Sequence, residues 1–157
     1  MAITGGRKDP TPTASDKILD AALRLFVTQG YPSTTVELIA REAGVAVQTV
    51  YFSFRAKVNI LKQLVESTVA GDTAPAPTLE RAWVSDALAD PDPTRQLELQ
   101  VKGTAATHLR VAPLLGVLHR ASDTDPAVGQ LWQANQDQRR ALVSRGMGAL
   151  DPQRPVP

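Results

Sequence analysis

An all-α chain is predicted by two features of the sequence. Apolar residues recur three and four positions apart in each long segment, and no segment alternates apolar with polar residues as a half-exposed strand does. Glycines and prolines fall between these segments rather than within most of them, and no internal repeat is visible.

The amino-terminal stretch 1–13, rich in Gly, Pro and Thr and carrying Arg7 and Lys8, is expected to be a disordered arm. A first helix is predicted from Asp16 to Gln29, with Ser15 as N-cap, an apolar face of Ile18, Leu19, Ala22, Leu23 and Phe26, and Gly30 as its stop. A second helix begins near Thr34 or Thr35, where Thr34 and Glu37 have capping-box spacing. It presents Val36, Ile39, Ala40 and Ala43, and ends at Gly44. The run Val45 to Phe52 is β-branched enough to suit a strand, but its place between clear helices predicts a third, short helix. A fourth follows from Ala56 to Val69, with Ile60, Leu61, Leu64 and Val65 facing inward. These elements make a domain over 14–70, and the Pro/Ala/Gly-rich stretch 71–78 is the expected linker. A second helical domain is expected over 79–150. Its segments are 79–89, a helix opened by Asp92-Pro93 and running to Val111, a short helix from Pro113 to Ala121, and one opened by Asp125-Pro126 and running to Met147. The tail 151–157, with three prolines, cannot be helical.

Composition narrows the function classes. The 157 residues carry a net charge of +1 and no cysteine, which excludes disulfides and thiolate metal sites. No apolar run approaches the ~20 residues of a membrane span, and the first residues lack the apolar core of a signal peptide, so a soluble cytoplasmic protein is expected. Residues 1–66 hold eight Lys/Arg against six Asp/Glu, while 67–157 hold nine against ten, a modest positive bias at the amino-terminal side. No nucleophile elbow, phosphate loop, metal cluster or carboxylate pair is visible, so neither an enzyme nor a cofactor-dependent protein is expected.

The unit from Thr34 to Phe54 reads as helix, Gly-containing turn, short helix. Such a pair can place its second helix in the major groove of duplex DNA. That helix needs an apolar side against the core, which Val50, Phe54 and Val45 supply, and a polar side for DNA, which Gln48, Thr49 and Tyr51 supply. Gln can pair with an adenine edge, Thr with a base or a thymine methyl, and hydroxyls with phosphate oxygens. Lys57, in the first turn of the next helix, adds a positive charge beside free backbone N–H groups. Singly, each of these residues also suits an ordinary surface or half-buried position; together, within this frame, they point to DNA.

Ile18-Leu19-Asp20-Ala21-Ala22, Phe26, Gly30-Tyr31, Thr34-Thr35-Val36, Ile39-Ala40, Ala43-Gly44-Val45, Thr49-Val50-Tyr51-Phe52, Phe54, Lys57 and Leu61 resemble, without gaps, the amino-terminal domain of TetR-type transcriptional regulators. The resemblance covers residues 16–64. It implies a three-helix DNA-binding domain followed by a helical ligand-binding and dimerisation domain, usually in a repressor that leaves its operator when a small molecule binds. By position it puts Val47, Gln48, Thr49, Tyr51 and Ser53 on the DNA-facing helix, with Thr35 and Lys57 on phosphates. Three positions depart from common usage in the family: Ala46 stands for a Ser-like cap, a loss of about 1 kcal/mol; Val47 is apolar; and Phe52-Ser53 occupies a site where aromatic residues or His occur.

Beyond Gly71 the resemblance is one of pattern. Trp83, His108, Leu115, His119, Trp132 and Asn135 are candidate pocket residues, although a stripe at helical spacing equally suits ordinary packing. His108 and His119 have no acidic neighbour at metal-ligand spacing. The resemblance implies a homodimer built on two further long helices, which have no counterpart before the closing Asp-Pro-Gln-Arg-Pro-Val-Pro. A shortened ligand-binding domain is therefore expected, with apolar surface exposed on helices 79–89, 94–111 and 126–148. The leading expectation is a DNA-binding regulator with an unidentified small-molecule effector. The alternative is a helical ligand-binding or protein-interaction module with little DNA affinity.

Overall fold

The structure, a computed structural model, describes residues 11–70, 85–86 and 89–149. Among these it holds six helices and no strand: α1 (Ala14–Gln29), α2 (Val36–Ala43), α3 (Val47–Phe54), α4 (Lys57–Ala70), α5 (Pro93–Ser122) and α6 (Pro126–Ala149). Residues 1–10 of the expected arm 1–13, the expected linker 71–78, most of segment 79–89 and the tail 151–157 lie outside the described residues; Thr13 of that arm caps α1, and Ser85, Asp86 and Ala89 are helical.

Helix α1 starts earlier than the sequence suggested. Thr13, not Ser15, is the N-cap: its hydroxyl accepts from the Asp16 N–H at 3.1 Å, and the Asp16 carboxylate accepts from the Thr13 N–H at 2.8 Å. This reciprocal pair satisfies two backbone donors, which Ser15 as cap would not do with Asp16 beside it. At α2 the cap is the second of the two expected threonines. Thr35 caps it, accepting from Leu38 N–H at 3.2 Å, whereas Thr34 is fully buried and donates to the Gly30 carbonyl at 2.8 Å. Glu37 therefore closes no capping box with Thr34. Gly44 ends α2 in the left-handed region (φ 67°, ψ 35°), and the Val45 N–H reaches back to the Ala40 carbonyl at 3.0 Å, so the chain turns sharply into α3.

Helix α5 corrects a second expectation. Pro113 does not open a separate helix; it lies inside one continuous helix of 30 residues. A proline there removes the N–H that would bond to Leu109 and crowds that carbonyl. The helix persists because Val111 on one side of Pro113, and Leu114, Val117, Leu118 and Ala121 on the other, are all buried in the common core. Asp92 and Asp125 do cap α5 and α6, accepting from Thr94 N–H at 3.0 Å and Ala127 N–H at 2.9 Å, with proline at each first helical position. Helix α6 folds back on α5. At Gly129 the approach is so close that a Cβ would lie 3.0 Å from the Ser122 carbonyl oxygen.

One core runs through the molecule. Ile18, Ala22 and Phe26 of α1 meet Ile39 and Ala40 of α2, Val50 and Phe54 of α3, and Ile60, Leu61, Leu64 and Val65 of α4. The core continues through α4 into the carboxy-terminal half of α5 and Val128 of α6. The part of α5 before Val111 is different: Leu97, Leu99, Val101 and Leu109 are exposed. No described helix is long and apolar enough to cross a membrane.

Candidate nucleic-acid interface

The turn Gly44-Val45-Ala46 and the packing of two α3 residues decide which edge of α3 faces out. Val50 is 1% and Phe54 5% exposed, one helical turn apart on the inner side. Helical geometry advances about 100° per residue, so position 52 lies opposite both. Phe52 is accordingly 89% exposed and Tyr51 46%. Gln48 and Ser53 are exposed too, while Val47 and Thr49 are half-buried, Val47 packing against the core rim. The amino-terminal end of α3 has no side-chain cap, since Ala46 offers no acceptor.

One exposed cation, Arg55, adjoins this edge, while Lys62 on α4 reaches Glu66 at 4.0 Å. From Ala43 to Val65 the chain carries Arg55, Lys57 and Lys62 and no carboxylate. Arg55 ends α3 with φ 63°, the only described non-glycine residue in the left-handed region, and its side chain is exposed. Asn59 donates to the Phe54 carbonyl at 2.8 Å and holds that strained turn.

Lys57 is engaged inside the protein. Its Nζ donates to the carbonyl oxygens of Tyr31 and Thr34, each at 2.8 Å, and lies 4.0 Å from the centre of the Tyr31 ring. Burial pushes its pKa down, against an opposing pull from Asp125. The Tyr31 ring packs on Phe26, and burial, then Asp125, push its phenol up to about 12. An ammonium has three donors, so these two bonds leave one N–H of Lys57 unused. Thr35 is exposed at the start of α2, its hydroxyl accepting from Leu38 N–H and still able to donate.

Apart from Trp83, the candidate pocket residues lie on α5 and α6. Trp83 lies outside the described residues. His108 is exposed. Its Nδ1 is 2.9 Å from the Thr104 carbonyl oxygen and its Nε2 is 3.0 Å from the Arg139 guanidinium, a contact that ties α5 to α6. His119 meets the Trp132 ring edge-on at 5.0 Å, Leu115 and Trp132 pack against the core, and Asn135 is buried. A cleft of about 400 Å³ lies between α1, α4 and α5, lined among the described residues by Leu23, Arg24, Val27, Thr28, Thr68, Arg110, Pro113 and Leu114, and none of the five described candidates is among these. No group of three or more potential metal ligands occurs among the described residues.

Residues 18–64 match the family model described as bacterial regulatory proteins, tetR family. Over 70 residues the chain is 40% identical to the uncharacterized HTH-type transcriptional regulator TtgW of Pseudomonas putida, an alignment covering 43% of this chain and 52% of that protein. It is 39% identical over 70 residues to the HTH-type transcriptional regulator SrpR, also of Pseudomonas putida, covering 43% of this chain and 33% of SrpR. The matches thus span about half or less of those relatives' length.

Proposed function

We propose that this chain, whose residues 18–64 match the tetR family of bacterial regulatory proteins, is a sequence-specific DNA-binding transcriptional regulator rather than an enzyme. The observation that carries the reading is the outward edge of α3, with Gln48, Tyr51 and Ser53 exposed on a helix anchored from behind by Val50 and Phe54. That helix enters the major groove, about 12 Å wide. Gln48 and Thr49 face bases, with Val47 at the groove edge. Tyr51 and Ser53 donate to phosphate oxygens, as do the Thr35 hydroxyl and the remaining N–H of Lys57.

In the same reading the protein represses from its operator in the cytoplasm, and a small molecule held by the helices beyond α4 releases it. A homodimer supplies two copies of α3 to paired half-sites. The exposed Leu97, Val101 and Leu109 of α5 favour a second reading, a protein-interaction module with little grip on DNA. One experiment separates the two. Duplexes are selected from fragments of the source genome, and affinity for the best of them is followed against salt. A regulator gives a selected sequence and a steep fall in affinity as salt rises, because phosphate contacts release counterions. Absence of any enriched sequence and of any salt-dependent shift would overturn it.

A further inference from the structure

Phe52 is the most exposed large apolar side chain among the described residues, at 89%, and it lies on the one helix edge that also presents Gln48 and Tyr51. Burying it in the protein was open to the fold only by rotating α3, and that would expose Val50 and Phe54. A phenyl ring has no donor or acceptor, so in a groove lined by polar base edges it gains only from an apolar partner. The major groove offers one such group, the C5-methyl of thymine.

We propose, resting on the DNA-binding reading above, that Phe52 is a specificity-determining residue that selects a thymine by its methyl group. Gln48 and Phe52 are four residues apart, so they are neighbours on the helix surface, their Cβ atoms about 6 Å from each other. At roughly 3.4 Å per base step, that spacing sets the thymine within about two base pairs of the adenine that Gln48 contacts. The absence of any carboxylate between Ala43 and Val65, with Arg55 exposed at the end of α3, suits the edge to a duplex rather than to a second copy of itself, which would bring like charges together.

The test uses the full chain and a pool of random duplexes. The best selected duplex is remade with each thymine in turn replaced by deoxyuridine, which deletes the methyl and leaves every hydrogen-bonding group. Loss of one buried methyl is expected to weaken binding about three- to fivefold at one or two thymines close to a selected adenine. F52A should bind the unmodified duplex more weakly by at least that factor and be indifferent to uracil at those positions. Circular dichroism checks that F52A is folded, as its exposure predicts. A selected duplex whose affinity ignores all methyl deletions overturns the inference while leaving the DNA-binding reading intact. So does F52A keeping the wild-type sensitivity, or changing only the mass of the protein in solution. Failure to select any sequence overturns both.

Discussion

The Lys57 ammonium lies 4.0 Å from the centre of the Tyr31 ring and donates to the Tyr31 carbonyl oxygen at 2.8 Å. A second bond to the Thr34 carbonyl makes this one side chain a clamp between the start of α4 and the turn joining α1 to α2. That turn precedes the helix-turn-helix, so the clamp helps fix where α3 sits. Lys57→Met keeps the aliphatic stem and removes the charge-assisted bonds. It takes one donor from each carbonyl, and although the Tyr31 carbonyl keeps its bond from the Thr34 N–H, the expected loss of stability is about 1–3 kcal/mol. Thermal or urea unfolding of the DNA-free protein measures it. An unchanged midpoint would mean that the clamp contributes nothing and that Lys57 serves DNA alone.

The same pair sets an alkaline limit. Burial holds the Tyr31 phenol neutral up to about pH 12, whereas in the unfolded chain it ionises near 10. Between those values the unfolded state has fewer protons, so stability falls as pH rises, by up to about 1.4 kcal/mol per unit from this group. Lys57 acts the other way, its pKa lowered by burial, and its share of stability grows with pH until the unfolded value near 10.5 is passed. Tyr31→Phe keeps the ring and removes the ionisation. Its unfolding free energy should track wild type below pH 10 and exceed it increasingly toward pH 12. Parallel curves across that window would sink the assignment.

Much of this was legible from residues alone. The cores of α1 and α4 follow from the spacing of Ile18, Ala22 and Phe26 and of Ile60, Leu61, Leu64 and Val65. The exposed stripe expected on α5 is present at Leu97, Val101 and Leu109. The misread positions are those where a local rule met a tertiary one. Pro113 reads as a boundary, yet core packing on both sides carries α5 through it. Thr34 reads as a cap because its hydroxyl suits one, but it is buried and bonded to Gly30, and the cap passes to Thr35. The inward engagement of Lys57 depends on a carbonyl 26 residues earlier, which no local pattern encodes. Phe52 was findable: its position between Val50 and Phe54 on a helix fixes it outward.

Separate roles for Gln48 and Tyr51 give opposite signatures on DNA. Gln48→Ala removes a two-pronged contact to one adenine, so preference at that base pair should relax by about 1–3 kcal/mol while other positions are read as before. Tyr51→Phe removes only a hydroxyl and should weaken all sequences nearly evenly, through a lost phosphate bond. Selection from a random pool with each variant distinguishes them. If Gln48→Ala yields the wild-type consensus, α3 is not seated as proposed.

The uncapped start of α3 offers a gain rather than a loss. Ala46 already has extended backbone (φ −69°, ψ 147°), as an N-cap residue requires, but no side-chain acceptor for the free N–H groups of the first turn. Ala46→Ser supplies that acceptor without moving the backbone, and the side chain is exposed, so nothing must make room for it. The expected stabilisation is about 1 kcal/mol, a rise of roughly 2–4 °C in melting temperature for a chain of this length. The same substitution should tighten DNA binding slightly, because a firmer first turn loses less freedom when Gln48 and Thr49 are immobilised in the groove. A lower melting temperature for Ala46→Ser would show that the Gly44-Val45-Ala46 turn does not hold the geometry of a helix start.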